Sequence, residues 1–177
     1  MIRSELPDDL HAIRAVTIDA FSQSEFGYQG EAELVDQLRI EPDSLSLVAC
    51  RDGVLIGHAL WTPVVIQGDG QTLEGMGLGP VSVATDCQRQ GVGAQLIQSG
   101  LDRLAREGCP FVVVLGHPEY YSRFGFVPAA DWGISHGFAG IPQHVFFVHW
   151  LASEPVQIGR VGRAYYRPAF GPQHDGD

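Results

Sequence analysis

Lysine is absent from this 177-residue chain, and all 11 basic residues are arginine. A phosphate loop built on Gly-Lys-Ser/Thr is thereby excluded, because that loop grips phosphate with its lysine. Cysteine is scarce: Cys50, Cys87 and Cys109 are odd in number and unrelated in spacing. Neither a disulfide framework nor a zinc site is indicated, so no metal is expected. No apolar run approaches the roughly 20 residues of a membrane span. The opening Met-Ile-Arg-Ser-Glu also lacks the apolar core of a signal peptide. Positive charge is in deficit, with a formal net charge of −10. That balance argues against sequence-independent nucleic-acid binding, which relies on basic patches. It is compatible with a cationic amine as ligand. The expectation is a cytoplasmic chain with no nucleic-acid and no membrane partner, forming a single domain over 1–177.

What is present is a glycine-bearing loop, Gln88-Arg89-Gln90-Gly91-Val92-Gly93. It follows the apolar Val81-Ser82-Val83 and runs into an amphipathic segment, Val92 to Glu107. A strand, a loop and a helix in that order leave backbone N–H groups unpaired at a positive helix end, which attracts phosphate without a lysine. The bland alternative is a plain strand-to-helix connection. A dinucleotide fingerprint fits poorly, since Leu96 stands where a third Gly or Ala is required and no acid follows the next strand.

Periodicity supplies the frame. Pro7-Asp8-Asp9 opens a helix with Leu10, Ile13, Val16 or Thr17, and Ala20 on one stripe. Phe21 to Gly30 reads as a loop, and Glu31 to Arg39 as a second helix with Leu34, Val35 and Leu38 on one face. Strands are expected over Ser46 to Cys50, Val54 to Val65 and about Leu73 to Val83, turning at Asp52-Gly53 and Gly68-Asp69-Gly70. The third strand carries Gly75, Gly77, Gly79 and Pro80. It is either a poorly formed edge or a strand that admits a close approach and splays from its neighbour. Helix Val92 to Arg106 turns Leu96, Ile97, Leu101 and Leu104 inward and ends at Gly108. The all-apolar Phe111 to Leu115 completes a βαβ unit. A short helix over Glu119 to Phe124 and a late strand over His144 to Leu151 follow. In the tail from Glu154 to Asp177, Tyr165, Tyr166 and Phe170 suggest packing.

The pattern Gln-x-x-Gly-x-Gly is similar to the pyrophosphate loop of the GNAT superfamily of N-acetyltransferases. About thirty residues on, Tyr120-Tyr121-Ser122-Arg123-Phe124-Gly125-Phe126 resembles the closing segment of that fold. Together with Leu78 to Val83 and the tail run Tyr165 to Phe170, it looks like one bacterial subgroup of predicted N-acetyltransferases. The resemblance covers roughly residues 2–151, with 152–177 as a C-terminal extension. It implies an α/β acyl-CoA N-acyltransferase fold: a central mixed, mostly antiparallel sheet, with a V-shaped splay between two parallel strands and helices on its flanks. It further implies acetyl transfer from acetyl-CoA to a primary amine, on a small molecule or a protein, by direct attack in a ternary complex. The alternative within the same fold is an acyl-CoA-binding sensor or partner module without turnover. Transfer of a longer acyl chain is a third possibility.

By that resemblance, the coenzyme would be held by Gln88, Arg89, Gln90, Gly91, Val92, Gly93 and Ala94, with Val81, Val83, Tyr120, Arg123 and Phe124 beside them. The Val83 N–H would meet the thioester oxygen, and Tyr121 would protonate the departing thiolate. Glu74 is the base written into this scheme, with Glu33 and Glu25 also eligible. Gly116-His117-Pro118 stands where many relatives have a cofactor-contacting asparagine, and His117 reads as a buried or structural histidine, or else a proton relay. Cys87 reads as an ordinary small residue. The exposed late strand and the aromatic tail make a homodimer the expectation.

Overall fold

Two Asp-Gly turns set the register of three long strands. Asp52 and Gly53 lie at φ 51° and 80°, and Asp69 and Gly70 at 41° and 79°. Two successive left-handed residues make the turn whose twist matches a tight antiparallel hairpin. The strands so joined are β2 (Leu45–Arg51), β3 (Val54–Gly68) and β4 (Gln71–Val83). The structure, a computed structural model, describes residues 1–25, 27–152 and 162–174. Its chain divides into two compact units, and β3 and β4 contribute residues to each.

The first unit comprises Met1–Trp61 and Gly79–Gly100. Here β1 (Ile2–Ser4), which the sequence did not announce, pairs antiparallel with β2, and β2 pairs antiparallel with β3 from Leu45↔Trp61 to Arg51↔Val54. Helix α1 (Leu10–Ser22) buries Ile13, Val16 and Thr17 and continues through Phe21 and Ser22, past the expected loop start. Helix α2 (Glu31–Leu38) buries Ala32, Val35 and Leu38, so its buried face falls one turn-edge away from Leu34. The start of α3 (Val92–Arg106) is seated on β3 by missing side chains. A β-carbon at Gly57 would stand 3.1 Å from both Val92 and Leu96, and one at Gly100 would stand 2.1 Å from the buried indole of Trp61.

The second unit comprises Thr62–Leu78 and Leu101–Asp177. Strand β5 (Phe111–Leu115) runs parallel to β4, with Met76↔Val112, Gly77↔Val113 and Leu78↔Val114 in register. On its other side β5 pairs antiparallel with β8 (Phe146–Trp150), which also pairs with β6 (Val127–Pro128). Strand β9 (Gly162–Tyr165) runs antiparallel to β3 and parallel to β7 (Ile134–His136). The architecture is therefore a mixed, mostly antiparallel α/β arrangement with helices on its flanks. Because β4 has β3 and β5 as neighbours, the edge-strand reading of its glycines is overturned. The glycines mark close approaches instead. A β-carbon at Gly75 would lie 2.6 Å from the Phe111 ring, and one at Gly77 would lie 2.6 Å from the Tyr166 ring. The late strand is not exposed either, since β5 and β6 flank it, and Tyr166 and Phe170 pack into the core. The grounds for expecting a dimer are thereby removed. Residues 154–161 and 175–177 of the tail lie outside the described residues.

One buried polar chain ties the first unit together. The Ser46 hydroxyl donates to the Glu5 carboxylate, which also pairs with Arg39. Having spent its proton there, Ser46 Oγ accepts from His58 Nε2 at 2.9 Å, which fixes the tautomer of a fully buried ring. Burial pushes the His58 imidazole down to about 4, against an ordinary 6.5. Between those two values the unfolded chain takes up a proton that the folded chain refuses, so stability falls as the pH drops through this window. The expected loss is about 3 kcal/mol, read from urea unfolding across the window. His58→Asn should flatten that dependence. Gly100→Ala, which drives a methyl into a rigid indole, should cost at least about 1–3 kcal/mol by the same unfolding measurement.

Candidate active site

In the first unit, β4 ends in a loop whose side chains are turned on its own backbone. The Ala84 N–H donates to the Ile56 carbonyl of β3 at 2.9 Å. Successive strand residues point their polar groups in opposite directions, so Val81 and Val83 direct theirs away from β3. The Val83 carbonyl then accepts from Gln88 Nε2 at 3.1 Å. The Thr85 N–H donates to the Asp19 carboxylate at 2.7 Å, which anchors the loop to the end of α1. Gln90 bridges both ways, its Nε2 donating to the Asp86 carbonyl at 2.9 Å and its Oε1 accepting from Arg51 at 3.0 Å.

These contacts commit the loop's side chains to its own backbone and to its neighbours. Arg89 and Gly91 take left-handed φ values of 59° and 83°, reversing the chain tightly into α3. The Gln95 N–H donates to the Gly91 carbonyl at 3.0 Å, so Gly91 is the N-terminal cap of the helix. The N–H groups of Val92, Gly93 and Ala94 therefore form the first turn, where no carbonyl one turn back exists within the helix. No acidic residue lies in that turn, while Arg103 and Arg106 lie in the last. The positive end of the helix is thus uncompensated by side chains and suited to an anion. Arg89 is exposed and adds a full charge. Gly93 keeps helical geometry, so conformational freedom is required at Gly91 rather than there.

In the second unit, the aromatic segment forms α4 (Pro118–Tyr121) followed by a 3₁₀ turn over Ser122–Phe124, where the sequence suggested one short helix. His117 is exposed, and its carbonyl accepts from the N–H groups of Tyr120 and Tyr121 at 3.1 and 3.2 Å. Its backbone starts the helix, and the buried histidine expected here is not found. Gly125, at φ 82°, reverses the chain and delivers Phe126 to the core at 3% exposure. Tyr121 packs edge-on against both Tyr120 (5.1 Å between ring centres) and Phe126 (5.7 Å). Gly116 makes room for it, because a β-carbon there would lie 2.2 Å from the Tyr121 ring. The Arg123 guanidinium lies over the Tyr120 ring at 4.8 Å and donates from Nε to the Tyr120 carbonyl at 3.3 Å. Burial pushes the Tyr121 phenol well above its ordinary range, with Tyr120 adding to the rise. At neutral pH the phenol is protonated, as an ordinary one also is.

The eligible bases sit in different surroundings. Glu33 accepts from the Tyr28 hydroxyl and from Arg14, and these two hold its carboxyl below the ordinary range. A carboxylate so stabilised accepts a proton poorly. Glu74 is exposed on β4, and Glu25 is exposed just after α1. Cys87 is buried, and burial pushes its thiol up, which suits an inert small residue rather than a nucleophile. Asp19 and Arg51, which brace the loop, escaped sequence reasoning. Asp19 is 66 residues from its partner Thr85, and no local pattern announces such a pair.

Residues 1–129 match the family model described as an acetyltransferase (GNAT) domain. The uncharacterized N-acetyltransferase YhbS of Escherichia coli K12 is 37% identical over 172 residues, covering 96% of this chain and 98% of that protein. The crystal structure of the Escherichia coli GNAT family N-acetyltransferase YhbS in complex with CoA is similar at a TM-score of 0.83 and 36% identity, covering 96% of this chain and 91% of that one. A GNAT family acetyltransferase from Brucella melitensis in complex with acetyl-CoA is similar at a TM-score of 0.77 and 35% identity, with 97% of each chain covered. On its sequence and on its fold alike, this chain belongs to the GNAT family of acetyltransferases.

Proposed function

We propose that this chain moves the acetyl group of acetyl-CoA to a primary amine, carried by a small molecule or a protein, by direct attack in a ternary complex. The observation that carries the reading is the tight reversal at Arg89 and Gly91, which presents the first-turn amides of α3. Its support from relatives is that two similar structures, at 36% and 35% identity, hold CoA and acetyl-CoA.

In this scheme the diphosphate receives the N–H groups of residues 89–94, with Arg89 adding a charge-assisted contact. Holding the two reactants together converts the encounter into a step within one complex. The amine nitrogen attacks the thioester carbon, and the carbonyl oxygen becomes negative. The Val83 N–H, directed away from β3, is the donor assigned to that oxygen, a role worth about 3 kcal/mol of barrier. The C–S bond then breaks, and Tyr121 gives its proton to the sulfur. Tyr120, Arg123 and Phe124 form the platform that fixes Tyr121 and flanks the coenzyme. The amine must lose a proton before attack, and Glu74 is the group assigned to accept it, directly or through water. Since a thioester is already activated, no covalent enzyme intermediate is needed, in keeping with an inert Cys87.

Tyr121→Phe should lower kcat by about a hundredfold or more while changing the acetyl-CoA dissociation constant less than about twofold, measured as CoA release across a panel of amines. Tight acetyl-CoA binding with no turnover on any amine would instead make the chain a sensor. Gly91→Ala forces a side chain into a left-handed position, at a strain of about 1–2 kcal/mol. Calorimetric titration with CoA should show about tenfold weaker binding in that variant, and unchanged affinity would remove the loop from the binding scheme.

A further inference from the structure

Most arginines of the first unit are spent on carboxylates. Arg3 pairs with Asp9, Arg14 with Glu33 and Asp36, and Arg39 with Glu5. Arg51 and Arg89, the other arginines of this unit, have no carboxylate partner among the described residues. In a chain with a net charge of −10, carboxylates are plentiful, so arginines left without one are informative. Both belong to the same loop: Arg89 lies in it, and Arg51, at the end of β2, donates from Nη1 to Gln90 Oε1 at 3.0 Å. That bond uses one of the five N–H donors of a guanidinium.

A cleft of about 410 Å³ opens beside Arg51, within the first unit. Ala49, Ile56 and Val92, none more than 8% exposed, make up the apolar part of its wall. Arg51, Asp52 and Gln90, all exposed, make up a polar part. An apolar wall with a few polar groups beside it is the ordinary build of a small-molecule site, and the volume is in the usual range. The cleft also begins where the phosphate loop ends, since Gln90 and Val92 belong to both.

Topology decides which part of the coenzyme reaches it. Val81 and Val83 direct their polar groups away from β3, so the acyl arm leaves the diphosphate along that free side of β4. The cleft lies on the other side, against β2 and β3. A diphosphate joins two arms, and the remaining one is the adenosine with its 3′-phosphate.

We propose that this cleft takes the adenosine end of coenzyme A, and that Arg51 grips the 3′-phosphate while still bracing Gln90. The inference rests on the coenzyme-binding reading above. Arginine and phosphate meet through parallel, charge-assisted hydrogen bonds, for which Arg51 has donors to spare. The base lies on the apolar wall, and Asp52 accepts from its exocyclic amino group. Arg89 serves the diphosphate and Arg51 the phosphomonoester, so each arginine without a carboxylate receives one anionic group of the same ligand.

The test is calorimetric titration of the full chain with coenzyme A and with dephospho-coenzyme A, which differs only in lacking the 3′-phosphate. Wild type should bind coenzyme A about tenfold or more tightly than the dephospho form. Arg51→Met should bring the two affinities within about twofold of each other, and Arg51→Lys should restore part of the gap. Amide resonances of Ala49 and Ile56 should also move when adenosine 3′,5′-bisphosphate alone is added to wild type. If Arg51→Met weakens both ligands equally and keeps their ratio, Arg51 only braces the loop and the proposal is overturned. Equal affinities in wild type, or unmoved Ala49 and Ile56 resonances, overturn it too, while the coenzyme-binding reading survives. If wild type binds neither form, both readings fall.

Discussion

The indole of Trp61 and the phenol of Tyr166 each occupy space that a β-carbon would fill, at Gly100 in the first unit and at Gly77 in the second. Bare backbone pressed by an aromatic ring is the constraint on which the remainder rests. In the first unit it seats α3, since Gly57 receives Val92 and Leu96 while Gly100 receives Trp61. The first turn of α3 is therefore fixed by packing on β3, and the amides of Val92, Gly93 and Ala94 are fixed with it. Interiors are packed closely enough that a single methyl at such a place is felt. The loop geometry that supports phosphate binding is thus a consequence of core packing, and does not depend on the loop alone.

Charge is used sparingly and locally. A chain with a net charge of −10 offers an anion no general attraction. It offers instead oriented backbone dipoles at one helix end, with Arg89 beside them, while Gln88, Gln90 and Asp19 are committed to holding the loop. The same economy governs the phenols: Tyr121 is raised above its ordinary range chiefly by burial, with Tyr120 adding to the rise. Buried groups elsewhere serve the fold, as in the chain from Arg39 through Glu5 and Ser46 to His58.

Much of this was legible in the sequence, for reasons that can be named. Asp52-Gly53 and Gly68-Asp69-Gly70 announce hairpins because only certain residues tolerate left-handed backbone. Leu96, Ile97, Leu101 and Leu104 announce α3 because a 3.6-residue period survives in a helix packed on one face, and all four are buried. Strands β7 and β9 were illegible, being three and four residues long, too short for any period to show. The inward turn of Gln88 onto Val83 was illegible as well, since its residue type alone fits a ligand contact equally. Tyr166 read as a packing aromatic, and it is one, with its ring resting on Gly77 in the core of the second unit.

The most direct test of the central claim is a crystal structure of the protein grown with acetyl-CoA. The account predicts the diphosphate within hydrogen-bonding distance of the backbone N–H groups of residues 89–94, and the sulfur within reach of the Tyr121 hydroxyl. A coenzyme bound with its diphosphate anywhere else, or no coenzyme at saturating concentration, would contradict it.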